Sequence, residues 1–96
     1  MRFRAQVVVS LKEGLLDPQG KAVEGALPAL GWGNVAAVRV GKYVELTVDA
    51  EDRAAAVHQV EEMCRRFLSN PVIEDFRVVA VEEAPAPAGA QAEVAG

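Results

Sequence analysis

The sequence predicts an α+β fold: an antiparallel four-stranded sheet with two helices on one face, in an oligomeric protein. Three observations lead there. Strict alternation of apolar and polar residues opens the chain over 2–12 and closes it over 72–82. Helical periodicity occupies the stretches after Asp17 and after Asp49. Between them lie two β-rich runs, 35–40 and 43–48, joined through Gly41-Lys42, a hairpin turn signal. The order strand, helix, strand, strand, helix, strand is ferredoxin-like in connectivity.

Each element has its own justification. In the first strand Phe3, Ala5, Val7, Val9 and Leu11 share one face, as a half-buried strand requires. Asp17-Pro18 starts the first helix, with Asp at the cap and Pro at the first helical position. Val23, Ala26, Leu27 and Leu30 give it an apolar stripe, and Pro28 is expected to kink or end it. In the strand over 43–48, Val44, Leu46 and Val48 face one way, and Tyr43, Glu45 and Thr47 the other. Asp49 is expected to cap the second helix, with Val57, Val60, Cys64, Phe67 and Leu68 as its buried stripe. Ser69-Asn70-Pro71 stops it. The last strand is expected to put Phe76, Val78 and Ala80 on one face, with Arg77, Val79 and Val81 opposite.

Composition bounds the functional classes. The domain is expected over residues 1–83, and the Ala/Pro/Gly-rich stretch 84–96 is expected to be a disordered tail. A domain this small leaves a large share of its surface exposed, so association is a natural source of stability. A net charge of −4 argues against nucleic acid or an anionic membrane as partner. A single cysteine excludes an intramolecular disulfide. No charged-then-apolar leader follows Met1, no run approaches a membrane span, and the cytoplasm is the expected compartment.

No reaction centre can be assembled from the residue types present. His58 lacks a ligand or acid partner at useful spacing, and Cys64 lies on the buried stripe as a small core hydrophobe. The adjacent acids Glu51-Asp52, Glu61-Glu62, Glu74-Asp75 and Glu82-Glu83 point apart on a helix or strand and read as solvated faces. Gly20 and Gly25 cost helix propensity, which implies a close backbone approach to the sheet or to a neighbour. An acylphosphatase-like site fails because the loop after the first strand, Glu13-Gly14-Leu15-Leu16-Asp17, would repel an anion. An RNA-recognition sheet fails for want of stacked aromatics. A stand-alone small-molecule-binding regulatory module of ACT-like architecture remains as the alternative to an assembly subunit.

Specific strings go further than pattern. Leu16-Asp17-Pro18-Gln19-Gly20, Val38-Arg39-Val40-Gly41-Lys42-Tyr43 with Glu45-Leu46, and Asn70-Pro71-Val72-Ile73-Glu74-Asp75-Phe76 together closely resemble the PurS family. That family is the small subunit of phosphoribosylformylglycinamidine synthase. The resemblance implies a non-catalytic subunit of an ATP- and glutamine-dependent ligase of de novo purine biosynthesis. It implies a homo-oligomer, dimer or tetramer, that bridges a glutaminase subunit and a large synthetase subunit and supports ammonia transfer between them. ATP and glutamine would be used by those partners, with no cofactor, metal or catalytic residue on this chain. The expected docking residues are Lys12, Asp17, Pro18, Gln19 and Gly20 at the first helix start, and Arg39, Gly41, Lys42, Tyr43 and Glu45 at the hairpin. Asn70, Glu74 and Asp75 in the last turn complete the set.

Overall fold

The computed structural model describes residues 1–84, so the expected tail lies, past Ala84, outside the described residues. Strand β1 (Arg2–Leu11) is followed by helix α1 (Pro18–Ala26) and a short 3₁₀ turn (Pro28–Leu30). Strand β2 (Lys42–Asp49), helix α2 (Arg53–Met63) with a π-type turn (Cys64–Leu68), and strand β3 (Glu74–Glu83) complete the order. The sheet is three-stranded in the order β2-β1-β3, and both pairings are antiparallel.

The expected four-stranded sheet is therefore corrected to three strands. The run 35–40 forms no strand, although its composition favours one. Two of its backbone donors are taken by side chains of the α1 region: Val38 N–H donates to Glu24 Oε1 at 3.3 Å and Val40 N–H to Asp17 Oδ2 at 2.8 Å. Ala37 adopts φ = 60°, a left-handed conformation that interrupts an extended strand. Gly41 does not make a hairpin turn either. It lies so close to the end of β1 that a Cβ there would stand 2.5 Å from the Val9 carbonyl oxygen.

The core lies between β1 and α2. Phe3, Ala5, Val7 and Val9 from β1 are buried with Ala56, Val60 and Cys64 from α2 and Val81 from β3. Each fully buried valine contributes about 1.5–3 kcal/mol relative to exposure. Asp52, not Asp49, caps α2: its Oδ1 accepts from Ala55 N–H at 2.8 Å. Asp49 ends β2 and pairs instead with Arg2 across the sheet at 3.2 Å.

Two local irregularities reassign faces. Between Gln6 and Val7 the β1–β3 register shifts: Gln6 faces Ala80, Val7 faces Val78, and Val79 is left over. This bulge turns Val81 into the core, where strict alternation would have put it on the open face. At the end of α2 the π-type turn draws Ser69 N–H onto the Cys64 carbonyl at 3.0 Å, and Ser69 Oγ also donates to it at 2.9 Å. The extra residue in that turn rotates Phe67 out of the buried stripe, leaving it 84% exposed, while Leu68 packs on the core.

The two helices of the expected fold are present, and they are buried unequally. α2 packs on β1 and β3, whereas α1 buries only Gly20. Its apolar stripe is left facing solvent: Val23 is 43% and Leu30 68% exposed.

Candidate docking site at one end of the sheet

The site is built where β1 ends. Lys12 N–H donates to the Ile73 carbonyl at 2.9 Å, which ties the loop after β1 to the turn before β3. The Lys12 ammonium pairs with Asp75 at 3.0 Å. Gly14 (φ 87°) lets the loop turn before Asp17.

Asp17 is the centre of the construction. It is buried, and both carboxylate oxygens are occupied: Oδ1 accepts from Gly20 N–H at 2.9 Å and Oδ2 from Val40 N–H at 2.8 Å. Arg39 adds charge from 3.9 Å, and its guanidinium also donates to the Leu11 carbonyl and reaches the Lys12 carbonyl at 3.5 Å. The Gly20 and Val40 bonds, with lesser help from Arg39 and the Gln19 backbone, hold the Asp17 carboxyl below its ordinary value although burial opposes this. Gly20 has a physical reason to lack a side chain. A Cβ there would collide with the Val38 carbonyl oxygen and come within 2.6 Å of the Asp17 carboxylate.

Beside this knot lies an open cavity of about 480 Å³. Its wall includes Asp17, Pro18 and Gln19 from the α1 start, Gly41 and Lys42 from the β2 start, and Glu74 from β3. Glu74 is itself engaged: its Oε1 accepts from Asn70 N–H at 2.7 Å, and Asn70 Oδ1 accepts from Val72 N–H at 3.1 Å. Exposed Leu15, Leu16, Val72 and Ile73 stand on the loop and turn joined by the Lys12–Ile73 hydrogen bond.

Three segments far apart in sequence thus meet at one end of the sheet. The structure brings together Lys12, Asp17, Pro18, Gln19, Gly20, Arg39, Gly41, Lys42, Glu74 and Asp75, with Asn70 in the adjoining turn. It sets Tyr43 and Glu45 apart, on the sheet face that α2 leaves open. There the Tyr43 hydroxyl donates to Glu45 Oε2 at 3.2 Å, and Gln6 donates to the same oxygen at 3.3 Å. Partial burial, then the Glu45 carboxylate, pushes the Tyr43 phenol up. Sequence reasoning missed Glu24, Val38 and Val40, which fasten the returning chain to α1. Glu24 stands seven residues after Asp17, two helical turns along the same face, and that spacing of acids was the available signal.

The profile of the PurS family, described as phosphoribosylformylglycinamidine (FGAM) synthase, matches residues 4–82. The chain belongs to the PurS family. It is 51% identical over 75 residues to the phosphoribosylformylglycinamidine synthase subunit PurS of Bacillus subtilis, covering 78% of this chain and 88% of that one. Among solved structures, PurS from Thermus thermophilus superposes with a TM-score of 0.80 at 42% identity, over 88% of this chain and 100% of that one. A chain of the Thermotoga maritima PurLQS structure does so with a TM-score of 0.75 at 30% identity, over 88% of this chain and 99% of that one.

Proposed function

We propose that this chain is the non-catalytic piece that holds a glutaminase subunit and an ATP-dependent synthetase subunit together. Membership in the PurS family makes it a subunit of the phosphoribosylformylglycinamidine synthase complex of purine biosynthesis, with PurL and PurQ. The observation that supports a bridging role is the convergence of three distant segments into one mixed apolar and charged surface, in which Lys12 pairs with Asp75 and Arg39 with Asp17. Such a surface suits a protein partner better than a reacting substrate. ATP and glutamine are consumed by the partner subunits in this reading, and the chain works in the cytoplasm as a homo-oligomer, dimer or tetramer.

Bridging has a chemical purpose. Ammonia released into open water is diluted and largely protonated at neutral pH, whereas enclosed transfer keeps the free base at high effective concentration. The test is reconstitution. Mixing the chain with the two larger subunits restores glutamine-dependent activity, and Lys42→Glu and Asp17→Lys weaken assembly. Full activity without the chain would overturn the bridging role, and unchanged assembly in both variants would overturn the placement of the surface. The ACT-like regulatory alternative predicts saturable binding of an amino acid or nucleotide to the isolated chain by calorimetry.

A further inference from the structure

The register of the sheet brings two opposite charges over one end of β1. Lys42 lies directly across from Val9 on one side of that strand, and Glu74 directly across from Leu11 on the other. Residues opposite each other in an antiparallel pair put their side chains on the same face of the sheet. Val9 is buried on the core face, so Lys42 and Glu74 rise on that face too, and both line the open cavity of about 480 Å³ beside the Asp17 knot. Two strand spacings across and two residues along set their backbones roughly 12 Å apart. Val9 and Leu11 form the floor between them.

These two charges do not neutralise each other. Among the described residues Lys42 takes part in none of the ion pairs. Glu74 gives Oε1 to the Asn70 N–H, and among the described residues no hydrogen bond reaches its Oε2. Asp17 shares the wall, but Gly20 and Val40 already occupy both of its oxygens. Val40 and Pro18 join Val9 and Leu11 to make the lining largely aliphatic. The volume falls within the range of small-molecule sites, about 300–1,000 Å³. An anion entering here meets the Glu74 and Asp17 carboxylates, and a cation meets Lys42. An uncharged apolar molecule strips water from both charges and offers neither a partner. A small molecule with one charge of each sign and an aliphatic part satisfies the floor and both walls.

We infer that this cavity binds a free aliphatic α-amino acid. Lys42 takes the ligand's carboxylate, Glu74 Oε2 takes its ammonium, and its side chain lies on Val9, Leu11 and Val40. The ligand is held without chemical change. The site goes beyond the bridging role and does not depend on it, because every group that forms it belongs to this one chain.

The experiment titrates the full chain with L-leucine by calorimetry at neutral pH, and saturable binding of one leucine per chain is expected. N-acetyl-L-leucine, which lacks the ammonium, and L-leucinamide, which lacks the carboxylate, each bind about tenfold more weakly or worse. These capped probes need no variant, so they test both charge contacts in the wild-type chain. Lys42→Met and Glu74→Gln each weaken leucine by a similar factor with unchanged circular dichroism, since Lys42 is exposed and Gln keeps an acceptor for the Asn70 N–H. Leucinamide loses nothing further in Lys42→Met, and N-acetyl-leucine nothing further in Glu74→Gln. The absence of saturable heat overturns the site. So do capped probes that bind as tightly as leucine, or leucine affinity unaltered in both variants. Each of these failures leaves the bridging role standing, because reconstitution with the two larger subunits decides that role independently.

Discussion

The Asp17 carboxylate accepts the Val40 backbone N–H at 2.8 Å, and so binds the chain returning to β2 to the first turn of α1. One side chain thereby serves as helix cap, as clasp between two segments 23 residues apart, and as acceptor for a donor that strand pairing would otherwise have used. The clasp joins the start of α1 to the chain returning to β2 and shapes one wall of the cavity beside it.

That relationship makes Gly20 a position where helix propensity predicts the wrong sign. Alanine is favoured over glycine in a helix interior by about 1 kcal/mol. At Gly20, however, the added methyl meets the Val38 carbonyl and the Asp17 carboxylate, and the carbonyl is backbone that cannot step aside cheaply. Gly20→Ala is expected to destabilise by about 1–3 kcal/mol. Gly25→Ala, where no heavy atom lies within 4 Å, is expected to stabilise by about 0.5–1 kcal/mol. Urea unfolding of both variants checks the pair, and equal shifts would dismiss the clasp as the cause.

The same carboxylate predicts a pH dependence. Its folded-state affinity for a proton is lowered, chiefly by the Gly20 and Val40 bonds, relative to the ordinary value of 3.8. The unfolded chain therefore binds that proton more readily. The stability Asp17 contributes is fully present above its ordinary value and is lost as pH falls through the lower folded value. The stability gap between wild type and Asp17→Asn is expected to hold from neutrality down to about pH 5 and to shrink below it. A gap that stayed constant to about pH 2 would show that ionisation of Asp17 is irrelevant to the fold.

Periodicity revealed what depends on near neighbours and hid what depends on distant ones. β1, with Phe3, Ala5, Val7 and Val9 inward, follows from alternation because the strand is central and regular up to its partner's bulge. The Asp17-Pro18 helix start follows from local cap chemistry. The run 35–40 has β propensity, but its donors were claimed by Asp17 and Glu24, acceptors that no windowed pattern can place beside it. The residues expected to dock partners came from three strings of the sequence; that most of them share one end of the sheet is tertiary information.

The bulge at Val79 separates two neighbouring valines that alternation would sort the other way. Val81 is buried against Ala5, while Val79 is about half exposed on the open side. Val81→Ala is expected to cost about 2 kcal/mol, from lost burial and the cavity left behind. Val79→Ala should stay within about 0.5 kcal/mol. Thermal unfolding of the two variants decides the matter, and reversed costs would restore the unbroken ladder.

Cys64 offers a probe of opening. The thiol is buried in the core and burial, more than its charged neighbours, pushes its ionisation up. Labelling by a thiol reagent under native conditions is therefore expected to be slow and to accelerate in step with unfolding as urea is added. Immediate labelling of the native chain would place the thiol on the surface and contradict the packing of α2.

The π-type turn makes a last claim about two adjacent side chains. A regular helix through Cys64 would place Phe67 and Leu68 on either side of the buried stripe, both able to reach the core. The widened turn, fixed by the two Ser69 bonds to the Cys64 carbonyl, instead turns Phe67 to solvent and leaves Leu68 packed on the core. Phe67→Ala is expected to change stability by less than about 0.5 kcal/mol. Leu68→Ala, removing a half-buried side chain, should cost about 1–2 kcal/mol. Ser69→Ala removes the hydroxyl bond that favours the widened turn, so it should lower stability by about 1 kcal/mol. It should also make a subsequent Phe67→Ala more costly than in the wild type, because a turn relaxed toward regular helix brings Phe67 back toward the core. A double-mutant cycle measured by chemical denaturation reads that coupling directly, and strict additivity would mean that Ser69 does not hold Phe67 out.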